Sequence, residues 1–177
     1  TRYGQWYGSP YGDWCAMFVS FCLNYADIPR DVIPYEASCP DWIEALQDTD
    51  YDLYRPAGEY TPVPGDLIFF DWEEDGISDH VGIVAEMIPA TEEEPAKVKT
   101  IEGNIADQVA EQEYELDDGI ILGYGQLPEK PPAYYCGLQE HTHDASCMDE
   151  NGELICGIAE HTHTDECQNV QAICGRS

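Results

Sequence analysis

The chain has 177 residues and a formal net charge of −29, set by 36 acidic against 7 basic side chains. A surface so acidic repels polyanions and so disfavours nucleic acid and anionic lipid as partners. No window of 18 apolar residues occurs, which excludes membrane insertion as a spanning helix.

That length accommodates one moderate domain plus a small appendage. The acid is spread along the chain and reads as a solvated surface. No Asp-x-Asp-x-Asn-Gly-type loop marks a calcium site. Eight cysteines suit an extracellular, disulfide-tolerant setting or metal sites. The first residues, Thr1-Arg-Tyr-Gly, lack a Met and read as a processed or trimmed chain whose export signal would precede them.

In chain order, Asp13 is expected to cap a helix over residues 14–25, with Phe18, Val19, Phe21 and Cys22 near one buried face. Asp27-Ile-Pro-Arg30 ends it. Residues 38–47 form a second helix, with Ser38 as cap and Pro40 in the first turn. A turn at 63–66 feeds a strand over Leu67–Phe70. Further strands follow at 80–87, 97–101, 109–116 and 121–125, with a polar hairpin tip at 91–96. Helices first and antiparallel strands afterwards predict an α+β domain over residues 1–127, its sheet packed on the leading helix.

Three side chains in this domain carry chemistry together. Cys15 stands at the start of the first helix, His80 heads an apolar strand, and Glu102 closes a later one. A free thiol titrates at about 8.5, and a helix N-terminus and an imidazolium both lower that value. With antiparallel pairing, the Glu102 carboxylate reaches the imidazole edge facing away from Cys15 and fixes its tautomer. Asn104, two residues on and on the same face, could take that role or assist. Taken singly, Cys15 is a small core residue and His80 a structural histidine. Only the combination reads as thiolate nucleophilic catalysis.

Four segments appear in order: Trp6-Tyr-Gly with Tyr11-Gly-Asp-Trp-Cys-Ala-Met-Phe-Val-Ser20, then Pro64-Gly-Asp-Leu-Ile-Phe-Phe70, Asp79-His-Val-Gly-Ile-Val84 and Ile101-Glu-Gly-Asn104. Together they span most of residues 3–125, and the chain resembles the CHAP family of cysteine- and histidine-dependent amidohydrolases and peptidases. The resemblance implies a papain-like fold, with Cys15 as nucleophile, His80 as general base and acid, Glu102 as orienting residue and Asn104 close by. It implies peptidoglycan as partner and substrate, cut at an amide bond, and no cofactor for catalysis. The Cys15 backbone N–H would be the oxyanion donor, with Gln5 as a second. Tyr11, Trp14 and Trp72 would line a substrate groove or fill core. Two departures stand out. Segment 8–13 carries one carboxylate where some phage lysin members carry an acidic calcium loop, and the surface is acidic where wall-lytic enzymes are often basic. A regulated, locally tethered enzyme fits that charge.

Cys22 and Cys39 are either a bridge stapling the two helices, stabilising by roughly 3 kcal/mol, or two buried thiols.

Residues 128–133, Pro-rich, read as a stiff linker. The tail, 134–177, repeats one pattern. Cys136, His141, His143 and Cys147 recur as Cys156, His161, His163 and Cys167, and a truncated third unit opens near residue 172 with Cys174. Each unit, 136–147 and 156–167, holds a complete tetrahedral zinc set, and a unit so small needs a staple. The rival staple is a disulfide within each unit. Similar repeats occur in surface and secreted proteins of Gram-positive bacteria, which implies a secreted or cell-surface location. The resulting expectation is an exported peptidoglycan amidase or endopeptidase. It competes with a metal-binding or adhesive surface protein whose domain is inert, and with a cysteine amidase for a non-wall peptide.

If metal staples the tail, elemental analysis of protein purified without chelator gives about two zinc equivalents per chain, one per Cys2His2 set. No zinc, together with tail thiols that resist alkylation, assigns disulfides instead.

Overall fold

Thr1 opens the first helix, accepting a hydrogen bond from the Gly4 N–H on its side-chain oxygen; α1 covers Arg2–Tyr7. The second helix, α2, covers Cys15–Tyr25, and α3 covers Cys39–Gln47. In α3, Ser38 accepts from the Asp41 N–H and Pro40 occupies the first turn, as the sequence predicts. Cys39, Trp42 and Leu46 fall on one stripe at helical spacing and are its buried residues. Buried positions in α2 run without a break from Cys15 to Ser20, with Leu23 beyond. A helix apolar on nearly all sides must be enclosed, and α2 packs against α1, α3, and the sheet.

Six strands make one antiparallel sheet: β1 Tyr54–Pro56, β2 Leu67–Phe70, β3 His80–Ile88, β4 Lys97–Ile105, β5 Gln108–Glu115 and β6 Ile121–Gly125. Their order is β1-β6-β2-β3-β4-β5. Strands β2 to β5 run as a meander, and β6 returns to the free edge of β2. Alternation on β2 divides the core. Leu67 and Phe69 join the helices with Val19, Trp42 and Leu46, while Ile68 and Phe70 join Val84, Val98, Ile121 and Tyr124 on the other face. Each such fully buried side chain stabilises by about 1.5–3 kcal/mol. The helices and antiparallel sheet are compatible with an α+β CHAP domain.

Some expectations need correction. The α2 helix starts at Cys15, its N-cap is Trp14, and no side chain caps it. Asp13 accepts a hydrogen bond from Asn104 Nδ2 at 3.0 Å instead. Strand β4 runs to Ile105 rather than ending at 101, so Glu102 lies within it. Cys22 and Cys39 are both free thiols, and the Cys39 sulfur lies 3.6 Å from that of Cys15. Seven residues of helix put Cys22 about 10 Å further along the α2 axis than Cys15, too far for a bridge. Trp14 is core, stacked on Tyr3 at 5.0 Å between ring centres.

The structure, a computed structural model, describes residues 1–48, 50–128, 147, 148 and 155. The chain divides into two units, Thr1–Pro128 and Glu129–Ser177. In the second, the Ile155 N–H donates to the Cys147 carbonyl at 2.9 Å, and Cys147 is buried. The other tail residues expected to bind metal (Cys136, His141, His143, Cys156, His161, His163 and Cys167) lie outside the described residues, as does the linker beyond Pro128. No described helix is long and apolar enough to cross a membrane.

Gly103 lets α2 approach β4. A Cβ there would come within 2.5 Å of the Phe18 Cβ, an atom fixed to the helix backbone. Gly103→Ala should therefore lower unfolding free energy by about 1–3 kcal/mol through overpacking. Gly119→Ala, with nothing within 4 Å, should be close to neutral in the same urea titration. Equal midpoints for the two variants would contradict this packing.

Candidate active site

The β3–β4 register places Gly82 opposite Glu102, and β2–β3 places Phe70 opposite His80. His80 opens β3, so its ring lies at a strand end. There Nε2 meets Glu102 Oε2 at 2.8 Å. Both groups are almost fully shielded, with His80 at 3% exposure and Glu102 at 0%. The carboxylate also accepts from Tyr114 OH at 3.3 Å and from the Thr100 hydroxyl. Gly82 makes room for it, since a Cβ there would lie 2.6 Å from the Glu102 Cγ.

With Nε2 engaged by Glu102, Nδ1 is the ring nitrogen left for the Cys15 thiol, and the two groups are coupled closely enough to shift each other's titration. Cys15 is the first residue of α2, whose first turn holds no acidic residue. Its thiol is lowered to about 5. The Cys39 S–H donating to the sulfur is the largest cause. Burial opposes it, and the His80 hydrogen bond and charge and the Ala16 N–H add to it. Burial pushes the His80 imidazole down, but its bonds to Cys15 and Glu102 and their negative charge outweigh that and hold it at about 9. The pair therefore rests as thiolate and imidazolium near neutral pH. Burial and the Glu102 charge push the Tyr114 phenol up, so it stays a donor.

A nine-residue loop, 71–79, covers this pair. Asp79 Oδ2 accepts from the Trp72 and Glu73 N–H groups at 2.6 and 3.1 Å, and Asp71 holds the Asp75 and Gly76 N–H groups. The Ser78 hydroxyl is shared between the Phe70 and His80 carbonyls. Held this way, the Trp72 ring stacks on the imidazole at 4.5 Å and 18° while remaining 46% exposed. A cleft of about 200 Å³ lies beside the thiol, lined by Asp13, Cys15, Ser38, Cys39, Ser78 and Asp79. A larger depression of about 670 Å³, lined by Tyr60, Asp118 and Tyr124 among others, contains none of these groups and no cysteine or histidine. The chemistry therefore assigns the smaller cleft.

Of the residues singled out from sequence, Cys15, His80 and Glu102 converge. Asn104 does not join them. Its φ of 69° sits in an irregularity of the β4–β5 pairing that breaks the alternation, and its amide goes to Asp13. Trp72 borders the imidazole, Tyr11 and Gln5 are exposed, and Trp14 is internal. Sequence reasoning did not assign Cys39, Thr100, Tyr114, Gly82 or Asp79 to the site. Thr100 could have been found, since it precedes Glu102 by two residues on one strand face. Among the described residues no cluster of three or more His, Cys, Asp or Glu is arranged to hold a metal ion.

A thiolate paired with an oriented imidazolium beside an open cleft can attack a carbonyl and protonate a leaving group. The CHAP domain family model matches residues 4–104, more than half of the chain and a span containing Cys15, His80, and Glu102. No curated protein matches the chain. Members of the matched family are typically amidohydrolases or peptidases, associated with peptidoglycan hydrolase and amidase activity. The chain belongs to the CHAP domain family.

Proposed function

We propose that this protein is an exported peptidoglycan hydrolase that cuts an amide bond, as endopeptidase or N-acetylmuramoyl-L-alanine amidase, through an acyl-enzyme on Cys15. The observation that carries the proposal is the imidazole bonded to a buried carboxylate through Nε2 and coupled in its titration to the thiol at a helix start. Cys15 attacks the scissile carbonyl. The Cys15 backbone N–H, free at the uncapped start of α2, stabilises the developing oxyanion. His80 passes its proton to the leaving amine, then takes one from the water that releases the acyl group. Glu102 holds the ring in one orientation and stabilises its charged form. Trp72, exposed on one side and stacked on His80 on the other, forms a wall of the substrate groove. The substrate lies outside the cytoplasmic membrane, so the enzyme works secreted or at the cell surface, with the repeat tail as anchor or spacer.

Incubation with purified sacculi, followed by mass spectrometry of the released fragments, tests activity and names the bond. Cys15→Ala should lower turnover by about a thousandfold or more, because the oxyanion donor and binding alone remain. Its thermal midpoint should stay close to that of the parent. Undiminished turnover by this variant would remove Cys15 from the mechanism.

The competent state needs Cys15 deprotonated and His80 protonated. kcat/KM should rise through pH of about 5 as the thiol ionises and fall through about 9 as the imidazolium is lost. Glu102→Gln removes a negative charge that raises the His80 value, so the alkaline limb should move down by about one pH unit. An alkaline limb that stays in place would show that Glu102 does not set the imidazole.

A further inference from the structure

Acyl transfer uses one thiol, yet the cleft holds two. Cys39, first residue of α3, is 5% exposed and lines the same cleft as Cys15, with the sulfurs 3.6 Å apart. Their protons are unequally shared: Cys15 favours the thiolate, while the hydrogen bond to Cys15 and burial keep Cys39 a thiol. A thiolate nucleophile with a thiol in van der Waals contact is the arrangement in which oxidation at one sulfur can be resolved by the other.

We propose that Cys15 and Cys39 form an oxidative modification site: a small hydroperoxide oxidises Cys15, and Cys39 closes a disulfide that stores the nucleophile in reducible form. This rests on the reading of Cys15 as the thiolate nucleophile.

The chemistry balances in two steps. The Cys15 sulfur gives an electron pair to the terminal oxygen of the hydroperoxide. The S–O bond forms, the O–O bond breaks, and the alkoxide or hydroxide leaves with the His80 proton as alcohol or water. Cys15 is now a neutral sulfenic acid, so the negative charge that held Cys39 protonated is gone. The Cys39 sulfur then attacks the Cys15 sulfur. The S–S bond forms, the S–O bond breaks, and the departing hydroxide takes the Cys39 proton as water. Two thiols and one hydroperoxide give one disulfide, one alcohol and one water. The sulfurs close by about 1.5 Å to reach the bond length of about 2.05 Å. A dithiol reductant reverses the change. Without a resolving thiol the sulfenic acid goes on to sulfinic acid, which such reductants do not restore.

The test uses the full chain treated with a modest excess of hydrogen peroxide, quenched by alkylation and mapped by mass spectrometry without reduction. The expected product is a peptide pair joined through residues 15 and 39, two hydrogens lighter than the reduced pair. Sacculus hydrolysis should fall by about tenfold or more and return to most of its untreated rate with dithiothreitol. In Cys39→Ser, Cys15 should appear as sulfinic acid, and recovery should stay below about a tenth of that variant's own untreated rate. A wild-type map with sulfinic Cys15 and no 15–39 link, a link from Cys15 to a tail cysteine, or equal recovery in Cys39→Ser would each overturn the proposal. The map needs no substrate, so it stands or falls apart from the peptidoglycan reading.

Discussion

A carboxylate with no solvent contact constrains this structure more than any other group. Burying an ionised carboxylate without partners costs several kcal/mol, and Glu102 is 0% exposed. Three donors from three strands meet it: His80 on β3, Thr100 on β4 and Tyr114 on β5. These strands must therefore stay in register, because a one-residue slip would turn Glu102 to the opposite face. The same requirement explains Gly82, directly across from Glu102, where a methyl group would occupy the carboxylate's space. The acid orients the imidazole, and the imidazole gives the buried acid its charged partner.

The start of α2 follows the opposite principle, since stability there is left unclaimed. A side-chain cap contributes about 1 kcal/mol, but the N-cap position belongs to Trp14, which provides none, and Asp13 stands one residue outside it. Asn104 holds the Asp13 carboxylate, no side chain caps the helix, and its positive end has no acid in the first turn. A capping carboxylate would bring a negative charge beside the Cys15 sulfur and oppose its ionisation. The missing cap is offset by packing, for α2 is enclosed by two helices and the sheet. Asn104, a second candidate for orienting His80 on sequence grounds, instead bonds Asp13 in front of the helix.

What could be read from the sequence was whatever is carried by local pattern. The cap and proline of α3, the apolar runs of β2 and β6, and the helix beginning near Cys15 all rest on neighbours in sequence, and the structure has them. The joint appearance of Cys15 at a helix start, His80 at the head of an apolar run and Glu102 at the close of another is visible in the same way. The missing parts depend on residues far apart. Asp13 and Asn104 are 91 positions apart, and no local rule pairs them. Glu102 falls outside a strand drawn to end at 101, because the polar Glu-Gly-Asn run conceals a strand that is buried for reasons of chemistry. The contact of Cys39 with Cys15 is not legible, since helical spacing brings Cys15 and Cys22 to one face but says nothing of which end α3 approaches.

Surface charge bears on how such a site meets its substrate. The basic residues before the linker are Arg2, Arg30, Arg55, Lys97 and Lys99, and each is engaged. Arg2 and Arg30 lie over the Tyr3 and Tyr35 rings, Arg55 faces Asp52, Lys97 sits between Glu94 and Glu113, and Lys99 faces Glu86. Arg55, Lys97 and Lys99 each face a carboxylate, no Lys or Arg lines the cleft, and Asp13 and Asp79 border it. Such repulsion extends over a Debye length of about 8 Å at physiological ionic strength, so it slows encounter without weakening contacts already made. If the repeats tether the domain as proposed above, its acidic surface costs little, because location then does the work that attraction would do for a basic enzyme.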